Sequence, residues 1–585
     1  MFKLFKNFNK KDWLLITICV ILVAFQVWLD LKLPDYMKEI TVLVQTEGSK
    51  MSDILMQGAY MLLCAFGSLL SAVVVGYLAS LISATFSKNI REKIFNKVEA
   101  FGMEEIKKFS TSSLITRTTN DITNIQMLIS MGLQMIIKAP IMVIWAILKI
   151  LNKNFTWTMI TGGAVIVLIV TVVTLMLIVL PKFKLVQKLI DNINNLTREN
   201  LTGIRIVRAF NAEKYQEDKF EEGNDTLTKT QMFNQRMMSI MSPIIYLVMN
   251  MLTLAIYFAG AKLINNALMA DKISLFSDMV VFSSYAMQVI MAFLMLAMIF
   301  IMYPRAAVSA NRINEVLDTE EKIKEGNFKE ETKEKGTVEF KNVSFKYPDS
   351  EEYVLYDISF KAKQGETIAF IGSTGSGKST LINLIPRFYD VTEGQVLVDN
   401  VDVKDYKLDL LHDKIGYVSQ KAVMFDGSIN YNVSYGKSSK KITKEKIKEA
   451  VDVAEAKEFV EQMDKKYESN IASGGTNVSG GQKQRLSIAR AIAKSPEIYI
   501  FDDSFSALDY KTDYTLRKNL KKYTKNATCL IVAQRIGTIM NADKILVLDE
   551  GKLVGVGTHK QLLKTCKVYQ EIAYSQVSRK ELENE

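Results

Sequence analysis

Up to about residue 304 the chain alternates long apolar runs with charged connections. Beyond it the pattern shortens to the strand and helix periods of a water-soluble α/β protein. Six stretches reach the ~20 mostly apolar residues that cross a hydrocarbon core: 13–33, 54–86, 125–151, 155–180, 241–269 and 274–303. The second and third lack a polar face, and their length separates them from buried helices of a soluble protein. The first run exceeds the apolar core of a cleavable signal peptide and continues into Asp30 without an A-x-A site.

Basic residues orient these spans. Lys3, Lys6, Lys10 and Lys11 precede the first, and the second-to-third and fourth-to-fifth connections are rich in Lys and Arg. The alternate connections are short and hold few cations, such as Lys32, Lys38, Lys50, Lys153 and Lys272. Both termini and the soluble domain are therefore expected in the cytoplasm of a cell whose plasma membrane holds the spans. The two inner connections, about 40 and 60 residues, keep helical periodicity, so they are expected to carry helical arms ~30 Å beyond the membrane. Lys138 lies mid-span beside Pro140, with Gln134, Asn250 and Gln288 as further polar groups. A charge there faces a wet cavity or a partner, or bonds carbonyls at a Pro140 break.

The resulting organisation is a six-helix transmembrane domain over 1–310, a charged linker over 311–335, an α/β domain over 336–575 and a tail over 576–585. The 73 Lys and Arg against 63 Asp and Glu give a net charge of +10, which the inner connections explain without a nucleic-acid partner. Cys19, Cys64, Cys529 and Cys566 have no paired spacing, so neither a disulfide framework nor a zinc site is expected.

The strongest local signal is Gly372, Ser373, Thr374, Gly375, Ser376, Gly377, Lys378 and Ser379, which fits G-x-x-x-x-G-K-S/T between a β-like run and a helical one, Thr380 following. Glycines let backbone N–H groups wrap phosphate oxygens, and the following helix offers its positive N-terminal end. Lys378 is expected to bridge the β- and γ-phosphates and the Ser379 hydroxyl to ligate Mg²⁺. A second apolar strand, 498–501, ends in Asp502 and Asp503, which places Asp502 to hold the Mg²⁺ shell through water. An α/β P-loop NTPase binding ATP and Mg²⁺ follows.

Between the two lies N-V-S-G-G-Q-K-Q-R, with Ser479, Gly480, Gly481 and Gln482. With this run the chain resembles an ABC transporter nearly end to end: the exporter type, six spans fused to one ATPase domain, a half-transporter working as a dimer. The resemblance implies that residues 479–482 form the signature that acts on ATP held by the opposite subunit. It implies that Tyr347 stacks on adenine, that Gln420 senses Mg²⁺ and relays to the membrane arms, and that 506–509 crosses the dimer. R-T-T-N-D at 117–121 and G-I-R-I-V-R-A-F at 203–210 resemble the two inner arms. R-A-A-V-S-A-N-R-I-N-E-V-L at 305–317 resembles the end of the sixth span.

Two departures fall in one site. Active members carry Glu after the strand aspartate, where Asp503 stands here, and a carboxylate withdrawn by about 1 Å can cost ~10²-fold in rate. They also carry a switch histidine where Gln534 stands, and glutamine cannot become cationic. The signature is nearly intact, Val478 replacing the usual Leu, while 469–475 lacks the usual acidic residue. The chain thus resembles the degenerate-site subunit of a heterodimeric bacterial multidrug exporter. Its expected partner is a second, non-identical half-transporter with Glu and His intact, and its expected cargo a hydrophobic or amphipathic small molecule. A nucleotide-gated channel or sensor, or a homodimeric lipid or peptide exporter, is the alternative.

Overall fold

The computed structural model describes residues 2–151, 155–436 and 441–577. These fall into two compact units, Met1–Glu99 with Ser112–Thr319 and Ala100–Thr111 with Glu320–Glu585. The connection holding Lys153, and the tail from 578 onward, lie outside the described residues. The first ten helices are α1 (Phe2–Phe5), α2 (Lys10–Gln45), α3 (Met51–Glu99), α4 (Met103–Phe109), α5 (Thr111–Thr118), α6 (Asn120–Leu151), α7 (Phe155–Thr202), α8 (Ile204–Ala209), α9 (Glu213–Asn265) and α10 (Met269–Asp318). Among the described residues six stretches of helix are long and apolar enough to cross a membrane, in α2, α3, α5–α6, α7, α9 and α10, as the hydrophobic pattern requires.

The helices overrun the apolar stretches. From 86 to 99 in α3 and from 180 to 202 in α7 the extra turns add about 20 and 33 Å. Pro34, Pro140, Pro181, Pro243 and Pro304 all lie inside helices. Apolar spans tolerate this because neighbouring groups can satisfy the backbone that a proline frees. Helix α6 continues through Pro140 without a break.

Lys138, on α6, reaches a partner: its ammonium lies 3.0 Å from the Asp30 carboxylate on α2. Asp30 gathers two more helices. Ser68 on α3 donates to its Oδ1 (2.5 Å), and Gln288 on α10 donates to its backbone oxygen (3.3 Å). That carbonyl is four residues before Pro34, the one whose intrahelical donor the proline removes. Towards the cytosolic ends, the two motifs singled out in the sequence interlock. Arg117 Nη1 donates to the Arg312 carbonyl (2.6 Å) and to Glu315 Oε2 (2.8 Å), while Ser309 donates to Asp121 (2.8 Å).

The second unit has, at 367–372, 498–502, 528–532 and 544–549, strands whose apolar residues run uninterrupted, the pattern of a sheet covered on both faces. Its strands are β1 (Val338–Phe345), β2 (Leu355–Ala362), β3 (Thr367–Gly372), β4 (Glu393–Val398), β5 (Val401–Asp402), β6 (Ile415–Val418), β7 (Gly427–Ser428), β8 (Asn470–Ile471), β9 (Ile498–Asp502), β10 (Thr528–Val532), β11 (Lys544–Asp549) and β12 (Lys552–Gly557). Its helices are α11 (Lys378–Asn383), α12 (Leu408–Lys414), α13 (Ile429–Val433), α14 (Lys444–Val453), α15 (Lys457–Gln462), α16 (Gly480–Lys494), α17 (Tyr510–Tyr523), α18 (Ile536–Ile539), α19 (His559–Thr565) and α20 (Lys567–Gln576).

The main sheet has order β12-β11-β3-β10-β9-β6, parallel except for β12, and β2-β1-β4-β5 forms an antiparallel sheet. Alternate residues feed different cores. Ala369, Ile371, Phe501, Ile531 and Val547 join one cluster, and Ile368, Phe370, Ile500, Leu530 and Leu546 the other.

The stretch after 319, expected as a solvated linker, lies against the second unit. Phe328 bridges to Tyr406, and Thr332 donates to Asp399 (3.1 Å). A buried charge explains the attachment. Lys414 donates to Asp399 (2.7 Å), Glu497 (3.0 Å) and Thr332 (2.9 Å). Burial opposes its charge, but these carboxylates outweigh burial and hold its pKa above the ordinary lysine value.

Removing one member of a buried pair strands the other. Lys414→Ala should destabilise the second unit by ~3–5 kcal/mol, read as a fall in the denaturation midpoint. Asp30→Ala should lower membrane-domain stability by ~2–3 kcal/mol, because an unpaired lysine remains in the span. Adding Lys138→Met should recover most of the loss; a double variant as unstable as the single would contradict the pairing.

Candidate nucleotide site

Strand order brings the candidate residues together. Parallel neighbours β3, β10, β9 and β6 all end at one edge, where open α/β sheets bind ligands. Beyond them lie the phosphate loop, Gln534, Asp502 with Asp503, and Gln420. Residues separated by up to 162 positions in sequence thus meet within one rim.

The loop's glycines are set by geometry. Gly375 and Gly377 have φ of +85° and +91°, the left-handed region that glycine occupies at little cost. A Cβ on Gly377 would lie 2.7 Å from Leu355, while one on Gly375 would meet nothing within 4 Å, so Gly375 faces open space. Lys378 caps the loop from inside, its ammonium donating to the carbonyls of Gly372 (2.9 Å) and Ser373 (2.7 Å) and to Ser376 Oγ (3.2 Å). Thr380, on the same helix, shares a hydrogen bond with the Tyr347 hydroxyl (2.9 Å), so the aromatic expected to hold the base is tied to the phosphate helix.

Charges at this rim are out of balance. Burial pushes Lys378 below the ordinary lysine value. Burial, followed by the neighbouring Asp503 charge, pushes Asp502 up despite a hydrogen bond from Ser379 Oγ (2.8 Å). Burial raises Asp503 as well, against the opposing effects of Gln420, Ser506, Arg535 and Lys378. An ammonium and two carboxylates, all partly stripped of water, form the set that a nucleotide phosphate chain with a divalent cation would complete.

Two amides close on Asp503. Gln534 Nε2 donates to its Oδ2 at 2.9 Å, and Gln420 Nε2 donates to the same oxygen at 3.3 Å. A carboxylate oxygen has two lone pairs, so Oδ2 is fully engaged. Asp503 has φ +46°, a conformation aspartate accepts more readily than most side chains.

The glycine run forms a separate feature. Ser479 caps α16, accepting from Gln482 N–H (3.3 Å), while Gln482 Oε1 accepts from Ser479 N–H (2.9 Å). This reciprocal box was readable from S-x-x-Q ahead of a helix. Ser479 and Gly480 are exposed, and a Cβ on Gly480 would meet nothing within 4 Å. Long-range contacts had no sequence signal, above all Lys107 on α4, whose ammonium lies 4.7 Å from the Tyr347 ring centre.

Residues 355–506 match the family described as ABC transporter, and residues 14–293 match its transmembrane region. An uncharacterized ABC transporter ATP-binding protein of Mycobacterium tuberculosis is 38% identical over 547 residues, covering 92% of this chain and 93% of that one. The chain belongs to the ABC transporter family. An ATP-dependent lipid A-core flippase of Pseudomonas syringae is 32% identical, with 83% of this chain and 80% of that protein covered. The structure of a bacterial Atm1-family ABC exporter with ATP bound superposes with a TM-score of 0.79 at 23% identity, over 96% of this chain and 98% of that one, and shares its fold. The protein is thus an exporter-type ABC transporter, a membrane-spanning ATPase that couples ATP hydrolysis to transport. Transporters of this type act as dimers.

Charge-assisted bonds of the kind Lys378 would make to phosphate carry ~1.5–3 kcal/mol each. Lys378→Ala should weaken ATP binding about 10- to 100-fold in an equilibrium titration, with the melting temperature of the empty protein nearly unchanged. Unaltered ATP affinity would remove Lys378 from the phosphate site.

Proposed function

We propose that this ABC transporter is one half of a heterodimeric exporter, contributing a degenerate ATP site and a working signature. The observation that carries the proposal is the pinning of Asp503 by Gln534 and Gln420. An Asp-length carboxylate with one oxygen already accepting two amide donors has a reduced capacity to orient an attacking water. Gln534 cannot supply the positive charge that a histidine there could.

In this reading, residues 372–380 cradle the triphosphate, Lys378 reaches its terminal phosphates, and Tyr347 holds the base. Ser379, Gln420 and Asp502, the last through water, would hold Mg²⁺. Bound Mg²⁺ would neutralise charge between the phosphates. Ser479, Gly480, Gly481 and Gln482 serve ATP on a non-identical partner that supplies the missing Glu and His. The exposed position of Ser479 and Gly480 supports a role across a subunit seam. So does the apolar tip around α8, where Leu201, Ile206 and Phe210 lie exposed. ATP binding closes that seam by favouring the closed state over the open one, and hydrolysis in the partner-dependent site lets it reopen.

Cargo is a hydrophobic or amphipathic molecule of the bilayer. Resemblance to proteins named lipid A-core flippases favours a lipid-like amphiphile, and equally favours a second reading, a homodimeric lipid exporter.

The purified chain alone should hydrolyse Mg-ATP at a rate ~10²-fold below that of the assembled heterodimer, the scale expected for a displaced base. Asp503→Glu combined with Gln534→His should raise turnover of the chain alone at least tenfold. Brisk hydrolysis by the unaltered chain as a homodimer would establish the second reading instead. Lipid-analogue uptake into inverted vesicles that fails to depend on hydrolysis would point to a gated channel.

A further inference from the structure

Helix α4 lies in the same compact unit as the ATPase strands, although the sequence places it between the second and third spans. Its attachment is specific. Glu104 pairs with Lys322, and Glu105, almost wholly buried, accepts the Lys322 N–H at 3.3 Å. Phe101 stacks on Phe109, with ring centres 5.9 Å apart. The helix is therefore held in place, and its exposed face presents Lys107.

The Lys107 ammonium stands over the ring of Tyr347, 4.7 Å from its centre, and 5.4 Å from that of Tyr389. Both lie within the ~6 Å over which a cation is attracted to a ring's π face. The tyrosine is not free to turn away. Its hydroxyl is bonded to Thr380, and Phe345 and Tyr389 meet it edge-on at 5.0 and 5.3 Å. Lys107 also hydrogen-bonds Tyr389, which raises its pKa above the ordinary lysine value, with Asp349 adding to the effect. It remains cationic throughout the neutral range.

We infer that Lys107 is a latch on the base platform: its ammonium occupies the π face of Tyr347 that a nucleotide's base takes, so base binding must displace it from α4's side. This rests on the reading of Tyr347 as the platform. Chemically, the latch distinguishes the two ends of the ligand. A base competes with the ammonium for the ring, whereas a bare polyphosphate gains nothing by moving it.

The test is equilibrium binding of ATP and of inorganic tripolyphosphate to the full chain, with Lys107→Ala, Lys107→Arg and Tyr347→Ala compared with the parent. An exposed cation–π contact of ordinary strength corresponds to about a two- to fivefold change in affinity. Lys107→Ala should therefore tighten ATP by about two- to fivefold without tightening tripolyphosphate, and Lys107→Arg should retain the parent's weaker ATP binding. Unchanged or weakened ATP binding in Lys107→Ala overturns the latch, as does equal tightening of both ligands. Tyr347→Ala is read separately. Loss of ATP affinity by about tenfold, the scale of a base stacked on an aromatic ring, supports the platform. Unchanged ATP affinity in that variant overturns the platform reading whatever Lys107 does.

Discussion

A polar rim on an otherwise apolar sheet is the constraint from which the nucleotide site follows. Strands β3, β10 and β9 are buried on both faces, so the only places where they can offer charge are their ends. Parallel connectivity puts those ends on one side. The bond from Ser379 to Asp502, between the helix after one strand and the tip of another, fixes their spacing. Around that bond the other groups have little freedom. Lys378 curls onto the loop carbonyls, and Asp503 turns out of line into a left-handed conformation between two amides.

Groups that share this rim are forced to compete. Each carboxylate is disfavoured by burial; Lys378 relieves Asp502 in part, and Arg535 with Lys378 relieves Asp503 in part. Neutral amides at 420 and 534 stabilise Asp503 in place but do not add charge. A rim so arranged is relieved when a ligand brings its own cation, which ties the protonation of both aspartates to occupancy of the site.

Sequence patterns revealed whatever is local. Hydrophobic run lengths showed the six spans because bilayer thickness acts on contiguous residues. The phosphate loop and the Asp502 strand end were visible because each motif is complete within a few positions. What stayed hidden depends on distant pairing. Nothing near Lys138 in sequence marks Asp30 as its partner, and the same holds for Arg117 with Glu315 and Lys107 with Tyr347. The charged stretch after 319 reads as solvated because its composition is polar, yet Thr332 and Phe328 hold it to the ATPase strands through contacts with Asp399 and Tyr406. Composition reports average affinity for water; two well-placed side chains are enough to override it.

Asp30 carries a consequence for how the membrane helices can move. Its side chain serves α3 and α6, while its main-chain oxygen, vacated by Pro34, serves α10. A helix gripped on three sides through one residue is keyed against spinning about its own axis, since any rotation would forfeit all three attachments together. Tilting as a cluster leaves them intact. The four helices are thereby predisposed to travel as one block, and relative sliding is left to α7 and α9, which reach Asp30 through none of these bonds.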